Sequence, residues 1–176
     1  MDKKINDNAI EMADVHYGDA DYNLLVYWFL LKENMSHKKI QKLCYYAEAW
    51  SLALNNRDIL IDGLEFQAWP HGPVNVDIWN KCKDFGWREI MLKKNFVNNK
   101  KEEIEKRFSP KQIELLELIW RSYGQYTADE LEYMTHSEDP WKKTREGLGP
   151  FEKSNRVIPK ELMKEFYLNS GMYSAE

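Results

Sequence analysis

The side chains that come nearest to catalytic chemistry are two histidines, His71 in Trp69-Pro70-His71-Gly72-Pro73 and His136 in Thr135-His136-Ser137-Glu138-Asp139-Pro140-Trp141. Imidazole is the commonest general base near neutral pH and a frequent metal ligand, and Glu138 and Asp139 follow His136 closely enough to complete a carboxylate–imidazole pair. If the two rings met in space, a hydrolase or metal site would be conceivable, but no third ligand or oriented nucleophile accompanies them. The structural reading is preferred. In it, His71 donates to a backbone carbonyl and fixes its turn, and His136 is a cation at a helix C-terminus. Glu138 and Asp139, standing before a proline, are then turn and N-cap residues. Cys44, between Leu43 and Tyr45 on an apolar helix face, reads as a packing group rather than a nucleophile. There is no glycine-rich phosphate loop, no serine nucleophile elbow and no paired-histidine zinc motif, so neither catalysis nor a metal or cofactor is expected.

The elements that must position these residues follow from periodicity. Leu24, Trp28 and Leu31 fall at i, i+4 and i+7, with apolar neighbours that widen the sector into a buried first helix. Ser36 is placed to cap a second helix carrying Ile40, Leu43, Cys44, Ala47 and Leu54, with Tyr45, Tyr46 and Trp50 as aromatic bulk. Leu64, Phe66 and Ala68 alternate with Glu65 and Gln67 at the two-residue period of a strand, which runs into the turn at 69–73; Gly72, Pro70 and Pro73 are read there as unable to continue a ladder. A helix from Val76 is expected to end near Gly86, with Trp79 and Phe85 facing inward. The charge-rich stretch 95–107 is read as an exposed hairpin or loop. Two capping boxes, Ser109 to Gln112 and Thr127 to Glu130, open the next helices. Leu116, Ile119, Trp120 and Tyr123 mark the buried face of the first of these, and Leu131 and Met134 that of the second. Between Ser137 and Pro159 the chain reads as irregular apart from a turn at 141–146, and Pro159 opens a last helix.

Residues 1–19 form a polar leader unlike a signal peptide, 20–171 a single domain and 172–176 a tail. The fold class expected is mainly α, six to eight helices with a small β-hairpin or short β element. The longest apolar run, Leu24 to Leu31, holds eight residues, far short of the ~20 that span a bilayer, so no membrane insertion is expected. Two cysteines without metal or disulfide spacing fit a reduced, cytoplasmic setting. A net charge of −4 with no long basic run disfavours direct nucleic-acid binding. Aromatic residues make up 14% of the chain, enough to fill a core or to present to a partner, and Trp87, Tyr126, Tyr167 and Tyr173 near element ends are candidate partner-binding residues.

Three stretches in order carry a family resemblance: Ile40-Gln41-Lys42-Leu43-Cys44-Tyr45-Tyr46-Ala47, Gln67-Ala68-Trp69-Pro70-His71-Gly72-Pro73-Val74, and Thr135 to Trp141. Together they resemble the Panacea antitoxin domain, also called the SocA-like or GepA-like phage-associated domain. The resemblance implies a helical domain encoded in a toxin–antitoxin or prophage locus of a bacterium that neutralises a cognate protein toxin by direct contact. It also implies a second mechanism, an adaptor that delivers the toxin to a AAA+ protease. On this reading Lys42, Leu43, Tyr45, Tyr46, Trp69, His71, Gly72, Pro73, Thr135, His136, Pro140 and Trp141 are scaffold. The alternative is that Trp69, His71, His136 and Trp141 line one cleft holding a toxin segment or small ligand.

Overall fold

A computed structural model describes residues 9–12, 22–54 and 61–170. Its elements run β1 (Ala9–Met12), α1 (Tyr22–Leu30), β2 (Met35–Ser36), α2 (His37–Ala53), β3 (Gln67–Trp69), β4 (Gly72–Val74) and α3 (Val76–Cys82). A 3₁₀ turn (Lys83–Phe85) leads to β5 (Glu89–Leu92), α4 (Lys94–Lys106), α5 (Pro110–Tyr123), α6 (Ala128–Ser137), α7 (Asp139–Thr144) and α8 (Lys160–Asn169). The chain is therefore mainly α with small β elements, as its periodicity predicts.

α2 is the spine. Every residue from Ile40 to Trp50 is buried, because α1, α3, α5, α6, α8 and β4 surround it. Its first turn is closed by the Ser36 hydroxyl, which accepts from the Lys39 N–H. Both predicted capping boxes are formed, with Gln112 and Glu130 reaching back to the N–H groups of Ser109 and Thr127. Among the described residues one hydrophobic core joins the eight helices, from Leu24 in α1 to Tyr167 in α8.

Two small sheets flank the spine. β5 lies between β1, parallel to it, and β2, antiparallel. β3 and β4 form an antiparallel hairpin in register Gln67↔Val74, Ala68↔Pro73 and Trp69↔Gly72. The turn is thus only Pro70 and His71, and Pro73 sits inside a strand, contrary to the expectation that it would break the ladder. The reason is its pairing. Ala68 opposite it turns its N–H the other way, to the Arg156 carbonyl at 2.9 Å, so the ladder asks no donor of Pro73. The chain returning at 156–158 supplies a third strand-like segment, since Ile158 N–H donates to the Phe66 carbonyl at 2.8 Å.

Three other expectations are corrected. Residues 94–106 form α4 rather than a hairpin or loop: Val97 packs on the core and Ile104, seven residues on, is fully buried, while Lys and Glu between them favour helix and keep the outer face solvated. The stretch 137–159 contains a full helix, α7, which Pro140 can enter because it occupies the first turn, where no N–H donor is needed. Phe85 is half-buried and packs against the core as expected, whereas Trp79 is half-buried and turns to Trp69 in a surface groove instead of facing inward. No helix among the described residues is long and apolar enough to cross a membrane.

Candidate functional site

The hairpin turn is bolted to α2 by two consecutive polar residues of the spine. Gln41 clasps the backbone of Asn75, its Nε2 donating to the Asn75 carbonyl at 3.0 Å and its Oε1 accepting from the Asn75 N–H at 2.8 Å. Asn75 in turn caps α3, accepting from Ile78 N–H at 2.9 Å, and donates to the Glu65 carbonyl at 2.9 Å. Lys42 is buried, 1% exposed, and its Nζ donates to the Pro73 carbonyl at 3.3 Å. Burial pushes its ammonium down to about 7, against the opposing attraction of Glu132. Gly72 stands against this side chain at φ +95°, and Thr135 of α6 closes on the same point, where a Cβ would lie.

Above this bolt, Glu132 of α6 gathers charge. Lys38 pairs with it and with Asp129, and His71 Nδ1 lies 3.1 Å from its Oε1. Burial works against the Glu132 carboxylate, but the Lys38 and His71 contacts outweigh it and hold its pKa below the ordinary value. His136, one helical turn on, stacks face to face on Trp141 with centroids 3.9 Å apart and 17° between planes. It stands in the last turn of α6, as the sequence suggests, but burial lowers its pKa and so disfavours the helix-end cation. Trp141 Nε1–H donates to the Trp69 carbonyl at 2.9 Å, tying α7 to the hairpin.

Glu138 takes no part in a histidine pair. Its carboxylate accepts from the hydroxyls of Tyr46 at 3.1 Å and Tyr167 at 2.6 Å, and burial raises its pKa to about 7 despite those bonds. Tyr46 also stacks on Tyr123, centroids 3.9 Å apart, and Trp50 Nε1–H donates to the Tyr123 hydroxyl at 2.9 Å. Tyr45, beside it, packs edge-on against Phe66. Asp139 instead pairs with Lys143 and Lys142.

On the outer face of the hairpin opens a groove of about 670 Å³ whose walls include Trp69, Pro70, His71, Trp79, Phe151 and Lys153. Trp69 and Trp79 meet at 5.5 Å. Phe151, 82% exposed, is held at the rim by a buried arginine: Arg145 donates through Nη1 to the Ala68 carbonyl at 2.8 Å, and through Nη2 to the carbonyls of Gly149 and Glu152, each at 2.8 Å. One guanidinium thus pins the loop 149–152 to β3.

The three sequence motifs therefore meet at one corner of the fold, with Lys42 and Thr135 both crowding the place a side chain on Gly72 would take and Trp141 bonded to Trp69. Of the four residues expected in one cleft, Trp69 and His71 line the groove, whereas His136 and Trp141 pack behind the hairpin. His71 faces a carboxylate rather than a backbone carbonyl and is 72% exposed in its side chain. Of the residues expected to present aromatic surface, Trp87 is 79% exposed and Tyr126 is half-buried against the core. Tyr167 is buried in the core with its hydroxyl spent on Glu138, and Tyr173 lies outside the described residues. Arg145, Glu132, Phe151 and Lys153 were not singled out by sequence reasoning, and Trp79 was read as a core residue and not as part of a site. Only Arg145 left a usable signal, one basic residue spaced i+4 from Trp141 at the mouth of a glycine- and proline-rich loop. Cys44 and Cys82 are buried, and burial raises both thiols above their ordinary range. No group of three or more His, Cys, Asp or Glu side chains suited to a metal occurs among the described residues.

A family model described as "Antitoxin SocA-like, Panacea domain" matches residues 40–142, more than half of the chain and all three motifs. Nothing matches among curated proteins or among solved structures.

Proposed function

The chain belongs to the family of SocA-like antitoxins with a Panacea domain, and from that premise we propose that it neutralises a cognate protein toxin by binding it directly, acting as a binding module and not as an enzyme. The observation that carries this reading is the family match across α2, the hairpin and α6–α7. What supports it in the geometry is the use each reactive side chain is put to. Lys42, Tyr46, His136 and Glu138 are consumed in holding elements together, while the aromatic groove beside them stays open to solvent. A surface of that kind recognises rather than reacts.

Co-expression with the toxin encoded at the same locus tests the proposal. Growth should resume while the toxin persists at an unchanged level in a stable complex. Continued arrest would count against an antitoxin role. Resumed growth with a protease-dependent loss of toxin would replace occlusion by delivery to a AAA+ protease, and in that case the toxin would be stabilised in cells lacking the protease.

A further inference from the structure

Taking the antitoxin reading as its premise, we infer that the groove between Trp69, Trp79 and Phe151 docks an acidic segment of the toxin that inserts an aromatic or large aliphatic side chain. The cavity's volume, about 670 Å³, lies within the range of sites that enclose a ligand or a side chain with its flanking backbone. Its walls are aromatic, and two of them are indoles that meet at 5.5 Å, the residue type that most often anchors an interface. Phe151 is 82% exposed, an unfavourable placement for so large an apolar ring on a loop that Arg145 holds rigidly by three carbonyls. A preformed apolar site of this kind loses little entropy when it is filled.

Charge selects the occupant. The chain as a whole carries −4, yet the groove is lined by the ammonium of Lys153 and by no carboxylate, while His71 on the same wall is already paired with Glu132. Lys83 adds a further cation, its Nζ lying 5.0 Å over the Trp79 ring. A local cationic rim around an apolar floor, set against an acidic background, complements an apolar side chain flanked by Asp or Glu. It repels a basic segment.

The test uses the full chain and its F151A, K153E and F151A/K153E variants, with L168A as a control distant in sequence and outside the groove. Phe151 and Lys153 are exposed, so melting temperatures should stay within a degree or two of the unsubstituted protein. Two readouts separate the groove from its premise. In the first, the cognate toxin is titrated against each variant: at least a tenfold loss of affinity for F151A and for K153E, with L168A unchanged, supports the inference. Equal affinity for all variants overturns the groove while leaving the antitoxin role intact. In the second, fluorescence anisotropy follows the peptide Glu-Asp-Trp-Leu-Glu-Asp and its Lys-for-acid counterpart. Binding of the acidic peptide alone, lost in F151A/K153E, supports the inference even if the toxin assay shows no neutralisation. Preference for the basic peptide, or binding of neither, overturns it, as does displacement of the acidic peptide by adenosine monophosphate at lower concentration than the peptide itself requires, which would mark a small-molecule site.

Discussion

Gly72 and Lys42 meet so closely that residue 72 has no room for a side chain: a Cβ there would stand 2.6 Å from Cε and 2.9 Å from Nζ of Lys42, and 2.9 Å from the Thr135 hydroxyl. Its φ of +95° adds a backbone cost for any L-residue. Gly72→Ala should therefore destabilise the protein by about 2–4 kcal/mol, combining a strained φ with collision in a buried site. Shortening the lysine should relieve part of it, so G72A/K42A should lose less than the sum of the single losses. Urea denaturation of the four proteins gives the answer, and strict additivity would show that the contact is not what fixes the glycine.

That contact also explains how much of this corner could be read in advance. Spacing alone announces α2, and the two capping boxes announce α5 and α6, because local hydrogen bonds and apolar periodicity belong to the sequence itself. The family motifs likewise mark Lys42, Gly72 and Trp141 as belonging together. What they do for each other depends on three elements meeting. That an N–H of Ala68 points away from Pro73, that Glu138 turns to Tyr46 and Tyr167 instead of His136, and that Val97 and Ile104 find a core to bury against are facts of tertiary packing. No local window contains them. The groove is the extreme case, since its walls come from the hairpin, α3 and the loop after α7, and Phe151 reads in isolation as one apolar residue among charges.

The buried ammonium of Lys42 should be visible in the pH dependence of stability. Its pKa is about 7 in the folded protein and near 10.5 when unfolded, so between those values the unfolded chain binds more protons and rising pH favours the fold. The contribution is complete above about 10.5 and lost as pH falls through 7. Lys42→Met abolishes this term while keeping the stem's volume. The stability of the unsubstituted protein relative to K42M should rise from pH 7 to pH 10 by an amount on the order of a few kcal/mol. Parallel curves in chemical denaturation over that range would refute it.

Glu138 should act with the opposite sign. Its folded pKa of about 7 lies above the ordinary carboxylate value, so between about pH 4.5 and 7 the folded chain binds more protons, and stability from this group is full below that window and lost as pH rises through 7. Glu138→Gln keeps an oxygen for one tyrosine hydroxyl and removes the titration. The melting temperature of the unsubstituted protein minus that of E138Q should therefore be larger at pH 5 than at pH 8. An unchanged difference would mean that the carboxylate between Tyr46 and Tyr167 is ionised throughout.

Arg145 is the residue whose replacement should separate the shape of the groove from its chemistry. Its guanidinium reaches the carbonyls of Ala68, Gly149 and Glu152 at 2.8 Å each and lies 5.2 Å over the Trp141 ring. A lysine has the charge but a single donor centre, and cannot bridge strand and loop together. Arg145→Lys should cost about 2–3 kcal/mol through buried carbonyls left unpaired. The loss should be local: amide exchange should accelerate at residues 149–153 and leave α2 protected. Since Phe151 rides on that loop, toxin affinity should fall in R145K although neither Phe151 nor Lys153 has changed. Full affinity alongside accelerated exchange would mean that the loop closes on its partner after contact, and that the order Arg145 imposes on the free protein is not needed for binding.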